Sequence, residues 1–164
     1  MTHTDYTKKI LNIEDENIYF YENCLEMIET KGVKTKIFHG YLTYTPKFCP
    51  KCNCINNDHN DIIKWNFKRN CKIKITKACN YNTILLLDKQ RFFCKHCNKT
   101  FTASPNIVDF HKQISNDTRT SVILDLMTKD SEKNIAKRNN ISTNSVNRIL
   151  VDISVDKFVK HNGS

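Results

Sequence analysis

Two copies of one short pattern bracket the middle of the chain, Cys49-Pro50-Lys51-Cys52-Asn53 and Cys94-Lys95-His96-Cys97-Asn98. A Cys-x-x-Cys pair turns two thiolates from one tight loop toward a common point. Two such pairs complete the tetrahedral set that Zn²⁺ takes in closed structural sites. The asparagine after each pair fits, because Asn tolerates the left-handed backbone conformation in which such a turn ends. The expected ligands of one structural Zn²⁺ are therefore Cys49, Cys52, Cys94 and Cys97.

Four further cysteines bring the count to eight. The start, Met1-Thr2-His3-Thr4-Asp5, is no export signal, so a reducing cytoplasm is the expected setting and metal ligation is preferred to disulfides. Cys54, Cys71 and Cys79, with His59 and His96 nearby, lack paired spacing and read as small apolar residues. A second ion at Cys54, Cys71 or Cys79 stays open. Cys24 reads as a packed strand residue. A redox role for Cys-x-x-Cys needs the motif to open a helix, whereas Lys99, Thr100, Phe101 and Thr102 after the second pair read as a strand.

Between the pairs the chain alternates with a period of two. Ile63, Trp65 and Phe67 oppose Lys64, Asn66 and Lys68; then Cys71, Ile73 and Ile75 oppose Lys72, Lys74 and Thr76. This predicts a half-buried antiparallel sheet with a lysine-covered outer face. A third strand, Thr83 to Cys94, runs into the second cysteine pair. The expected architecture is a zinc ribbon, in which metal replaces the core that so few residues cannot supply. Ahead of it, a short amphipathic start (Ile10, Leu11, Ile13) precedes two extended stretches, Asn17 to Glu29 and Val33 to Thr45. Gly32 supplies the positive φ of a tight turn between them, predicting a β-hairpin.

The chain of 164 residues carries 26 Lys+Arg against 17 Asp+Glu, a net +9, and 39% apolar residues, enough for one or two small cores rather than an elaborate enzyme. Its longest purely aliphatic run, Ile84 to Leu87, is far short of the roughly 20 residues of a membrane helix. Residues 41–104 hold twelve basic and three acidic side chains, so nearly all the positive excess lies in the cysteine-rich zone. Such density favours a polyanionic partner, with a solubilising face as the plain alternative.

Beyond Pro105 the period becomes helical. Ser115 can cap a helix running to about Thr128, with Val122, Ile123, Leu124 and Met127 as its buried stripe. From Ser131 to Leu150 the spacing is that of a helix-turn-helix. Ile135, Ile141, Val146 and Ile149 fill a core, Ala136 is small where the helices cross, and Asn140 takes the turn position that usually holds Gly. Asn139 stands where an apolar residue is usual. Ser142 caps the second helix and leaves Thr143, Asn144, Ser145, Asn147 and Arg148 near its start, where side chains reach base edges. Lys133, Lys137 and Arg138 on the preceding helix, and Lys64, Lys68, Lys72 and Lys74 of the sheet, suit phosphate contacts. A three-helix bundle that binds no nucleic acid has the same apolar spacing.

The predicted class is α+β: an N-terminal helix and β-hairpin (1–46), a zinc-ribbon antiparallel sheet (47–104) and a three-helix helix-turn-helix domain (105–164). This order, with "LLLDKQRFFCKHCNKTFTAS" from Leu85 to Ser104 and "IAKRNNISTNSVNRIL" from Ile135 to Leu150, resembles the N-terminal part of bacterial insertion-sequence transposases of the ISL type. The resemblance implies recognition of the terminal inverted repeats of a mobile element in double-stranded DNA. It carries the ligand role onto the four paired cysteines and the reading role onto Ser142 to Arg148. It also implies the same protein, as a dimer or as full-length transposase, as a partner.

Transposases of this type continue into an RNase H-like domain whose three carboxylates hold two metal ions. This chain ends at Ser164, and Asp125, Asp130, Asp152 and Asp156 read as solvated charges on small helices, so binding without cutting is expected. A transcription regulator of similar build and a zinc-ribbon protein-interaction module are the alternatives.

Overall fold

Lys31 and Gly32 reverse the chain with two positive φ angles, 51° and 76°. Two such residues make the hairpin turn whose twist matches that of the flanking strands. They join β1 (Ile18–Thr30) to β2 (Val33–Leu42), with Thr30 facing Val33 across the turn. The computed structural model describes residues 1–108 and 112–161, with side chains of the last helix described to residue 156. Ahead of the hairpin lies α1 (His3–Leu11), whose first turn is closed by a capping box between Thr2 and Asp5.

The basic alternating stretch forms β3 (Ile62–Ala78) and the aliphatic one β4 (Tyr81–Cys94), followed by the short β5 (Lys99–Thr102). Cys79 and Asn80, with φ of 52° and 64°, make a second two-residue turn of positive φ between β3 and β4. The strands lie in the order β1-β2-β4-β3, with β5 pairing beside the end of β4. The sheet is mixed where an antiparallel one is expected: β2 runs parallel to β4 from Thr35 opposite Asn82 to Leu42 opposite Lys89. The reason is connectivity. The chain leaves β2, makes the first cysteine turn and β3, and then returns along β4 in the direction of β2. The most apolar strand is thereby flanked on both edges.

The alternation expected of β3 is broken by register shifts at Lys64/Phe67, Lys68/Cys71 and Ile75/Ala78. Each bulge inserts one residue and exchanges the two faces. Ile62 is buried in place of Ile63, and Trp65, expected inside, is 59% exposed. Beyond the second bulge the expected pattern holds, with Ile73 and Ile75 buried, Lys72 exposed and Lys74 half-buried.

The sheet core collects Ile18, Phe20, Leu42, Ile73, Leu85, Leu87 and Phe92 together with Cys49 and Cys94. A second core lies among α2 (Asn116–Leu126), α3 (Glu132–Arg138) and α4 (Thr143–His161), where Val122, Ile135, Ala136, Ile141, Val146 and Ile149 meet. With five strands and four helices among the described residues the class is α+β. Ser115 caps α2 as expected, its hydroxyl accepting from the Thr118 N–H. The stripe on α2 is narrower than expected: Val122 is buried, but Leu124 and Met127 are exposed, because α2 turns only one side to α3 and α4.

The free edge of β3 holds the helical part against the sheet. The Lys74 N–H donates to the Gln113 carbonyl at 2.8 Å, and the Ser115 N–H to the Lys74 carbonyl at 2.9 Å. Three residues before α2 thus act as a short parallel extension of the sheet.

Candidate metal centre and nucleic-acid interface

The first cysteine turn follows Pro46, and the second closes β4 and opens β5. In both, the asparagine after the second cysteine is left-handed, with φ of 58° at Asn53 and 54° at Asn98. In the first turn the Asn53 N–H reaches the Cys49 carbonyl at 2.8 Å, and the Lys51 N–H points at Cys49 Sγ at 3.4 Å. Buried Asn56 braces this turn, donating to the Pro46 carbonyl and accepting from the Ile62 N–H. The Lys95 N–H, donating to the Asp61 carbonyl at 2.9 Å, ties the second turn to the start of β3.

These turns bring the four sulfurs of Cys49, Cys52, Cys94 and Cys97 within 4.8 Å of one another. Cys49 and Cys97 are 3.9 Å apart, and Cys52 and Cys94 3.8 Å. Metal–sulfur bonds of about 2.3 Å in a tetrahedron set sulfur–sulfur edges of about 3.8 Å, so the set fits a tetrahedral thiolate-binding ion such as Zn²⁺. Cys49 and Cys94 are buried, Cys52 and Cys97 half-buried.

The thiols differ in acidity. Burial would raise Cys94, but the Cys97 and His96 N–H groups aimed at its sulfur outweigh it and bring it down to about 7. The Cys54 N–H favours the Cys52 thiolate, yet burial and the three neighbouring thiols push Cys52 up to about 12. A divalent cation relieves that crowding by displacing the protons. Cys54 is raised by burial first and by the Cys94 charge next, and its thiol donates to the Ile55 carbonyl at 3.4 Å. Among the described residues no second group of three or more potential ligands converges, at Cys54, Cys71, Cys79 or elsewhere.

On the helical side, α3 ends at Asn139, and Asn140 turns the chain with φ 54° before α4. Asn139 is buried, and its amide donates to Asp125 Oδ2 at 2.7 Å and to the Ile135 carbonyl at 3.0 Å. A polar residue is thus accommodated at an apolar position because α2 supplies a carboxylate. Ser142 caps α4, its Oγ accepting from the Ser145 N–H at 3.1 Å. Thr143 and Asn144 are exposed at the start of the helix, and Lys133 and Lys137 are exposed on α3.

Two expected contact residues are already engaged. Arg138 bridges Asp125 at 3.1 Å and Asp130 at 3.0 Å while staying exposed. Asn147, with its amide turned to donate, reaches the two oxygens of Glu132 at 3.0 and 2.7 Å. Asp125, Asp130 and Asp152, read from sequence as solvated, each pair with an arginine.

The four sheet lysines do not form one row. One bulge separates Lys64 from Lys68, and a second separates Lys68 from Lys72 and Lys74. Lys72 and Lys74 instead line a cleft between β3 and the helices, opposite Ser142, Ser145 and Arg148. Arg119 on α2 shares this cleft and was not singled out from sequence, where a lone arginine on a short helix gives no signal. Trp65 is the other residue missed. Its ring lies 5.5 Å from that of Phe93 and is open to solvent beside Lys64, a placement that the aromatic-between-lysines pattern could have suggested.

Among the described residues no helix is long and apolar enough to cross a membrane. No protein family, no curated protein and no solved structure matches this chain.

Proposed function

We propose that the chain binds double-stranded DNA through a zinc ribbon followed by a helix-turn-helix, and recognises the terminal inverted repeats of an insertion sequence as the DNA-binding part of an ISL-type transposase. The observation that carries this reading is the α3–α4 pair. Its left-handed turn at Asn140 and its Ser142 cap leave the first turns of α4 open to solvent next to a strongly basic strand. A helix presented by its N-terminal residues is the geometry that enters a major groove. In this reading Thr143, Asn144 and Asn147 read base edges, and Lys133 and Lys137 hold phosphates.

Cys49, Cys52, Cys94 and Cys97 hold one structural Zn²⁺, which contributes folding energy and no chemistry on the nucleic acid. Strand cleavage is not assigned to this chain. Asp125, Asp130 and Asp152 each pair with an arginine.

The test is site selection from a random duplex pool, followed by gel shifts with the selected site, a scrambled version and DNA flanking the gene. The expected result is a preference for inverted repeats and binding that weakens steeply with salt. Equal affinity for selected and scrambled duplexes at all salt concentrations overturns the reading. A selected site lying at a promoter instead of in flanking repeats assigns a transcription regulator of the same build. Labelled ends incubated with Mg²⁺ or Mn²⁺ are expected to stay intact.

A further inference from the structure

The cleft between β3 and the helices, about 560 Å³, gathers charge from segments far apart in sequence. Lys72 and Lys74 come from β3, Lys112 from the stretch before α2, Arg119 from α2 and Arg148 from α4, against one carboxylate among the described residues, Asp152. That carboxylate is taken, by Arg119 at 2.9 Å and Lys112 at 3.7 Å. Among the described residues Lys72, Lys74 and Arg148 have no carboxylate within 4.0 Å. Three cations thus face one opening without a counter-charge.

Of the three, Lys74 is held in place by its neighbours. Lys74 sits in the backbone bridge to Gln113 and Ser115, and its ammonium donates to the Asn140 carbonyl at 2.9 Å. Burial first, and Lys72 second, hold Lys74 below the usual lysine range. An anion between the two lysines favours the charged form of Lys74 and so opposes both effects.

We infer that this cleft is a phosphate clamp, gripping consecutive phosphodiesters of one DNA strand between the sheet and α4, with Lys72, Lys74 and Arg148 as its contacts. The inference rests on the DNA-binding reading and deepens it. The opening is too large for one phosphate and suits a length of backbone. Among the described residues its lining is Lys, Arg, Ser, Asn, Gln, Ile and the one Asp, with no aromatic ring on which a base could stack, which favours backbone over a free nucleotide. Arg148 then positions the duplex instead of reading it, and α4 divides its work. Ser145 and Arg148 face the clamp, while Thr143 and Asn144 stay outside it.

The test uses the full chain with zinc, Lys72→Gln combined with Arg148→Gln, and Lys99→Gln on β5 as a control. Fluorescence anisotropy with selected and random duplexes between 50 and 200 mM salt gives the slope of log affinity against log salt. Each lost phosphate contact removes about 0.9 from that slope. The double variant is expected to lose nearly two, equally on both duplexes, and Lys99→Gln to lose much less. Charge-preserving Lys72→Arg with Arg148→Lys is expected to keep the slope, which separates lost charge from lost fold.

Tripolyphosphate added to the wild-type chain is expected to shift the backbone amides of Lys72, Lys74 and Arg148 in a two-dimensional NMR spectrum. An unchanged slope in the double variant, or a loss of selected-site affinity alone, overturns the clamp while leaving DNA binding standing. Amide shifts in the cleft from a chain that binds no duplex keep the anion site and overturn DNA binding.

Discussion

Asp88 lies nearly buried on the central strand, with three donors converging on its carboxylate: Tyr21 Oη at 2.9 Å, Arg69 Nη1 at 2.7 Å and the Asn70 N–H at 2.8 Å. Burial alone would raise its pKa, but the Asn70 N–H, Arg69 and Tyr21 together hold it below the usual carboxylate value. A depressed folded pKa stabilises the fold above the unfolded value, near 3.9, and this stabilisation is lost as pH falls through the folded value. Asp88→Asn is expected to cost about 1 to 3 kcal/mol at neutral pH, as for hydrogen bonds to a charged group. It also flattens the acid limb below about pH 4, read by urea unfolding across pH. The other residue of consequence is Cys94. Cys94→Ser is expected to release the ion, measured as zinc per chain, and to abolish the near-ultraviolet signal of Trp65, which packs on the neighbouring Phe93. Retention of metal and signal removes Cys94 from the ligand set.

Among the elements, the hairpin of β1 and β2 depends on a close approach at Gly40. A Cβ there would lie 2.6 Å from the Tyr19 carbonyl oxygen, so Gly40→Ala pushes the strands apart, at an expected cost of about 1 to 3 kcal/mol in thermal or urea unfolding. The turn between α3 and α4 tolerates the opposite change. Asn140 has φ 54°, so Asn140→Gly is expected to leave stability within a few tenths of a kcal/mol. Asn140→Val is expected to cost roughly 1 to 2 kcal/mol, since a β-branched residue is strained there. These elements were legible because their turns need residues of special backbone freedom: Gly32, Asn53, Asn98 and Asn140 each announce a reversal. The bulges of β3 were not. One inserted residue leaves no mark in composition, and without it Trp65 falls on the buried side of a perfect alternation. The partners of Arg138 and Asn147 were not legible either: sequence shows that a side chain is polar, not that Asp125, Asp130 and Glu132 stand within its reach.

At the scale of the molecule, two cores are joined through the edge of β3, and only one of them includes cysteines of the metal set. Chelation of the ion is therefore expected to lower the melting of the sheet, followed by aromatic circular dichroism, more than that of the helices, followed at 222 nm. Coincident losses by both probes would show that the edge contact makes one cooperative unit. The four-thiol centre and the helical core were readable because each rests on spacing within a short stretch. The parallel pairing of β2 with β4 was not, because it joins strands separated by the first cysteine turn and the whole of β3. That separation has its own consequence during synthesis. The N-terminal hairpin leaves the ribosome with the edge of β2 bare and must wait for β4 before it is covered. A fragment ending before Tyr81 should for that reason self-associate, and folding of the whole chain should be paced by this late docking rather than by its local turns.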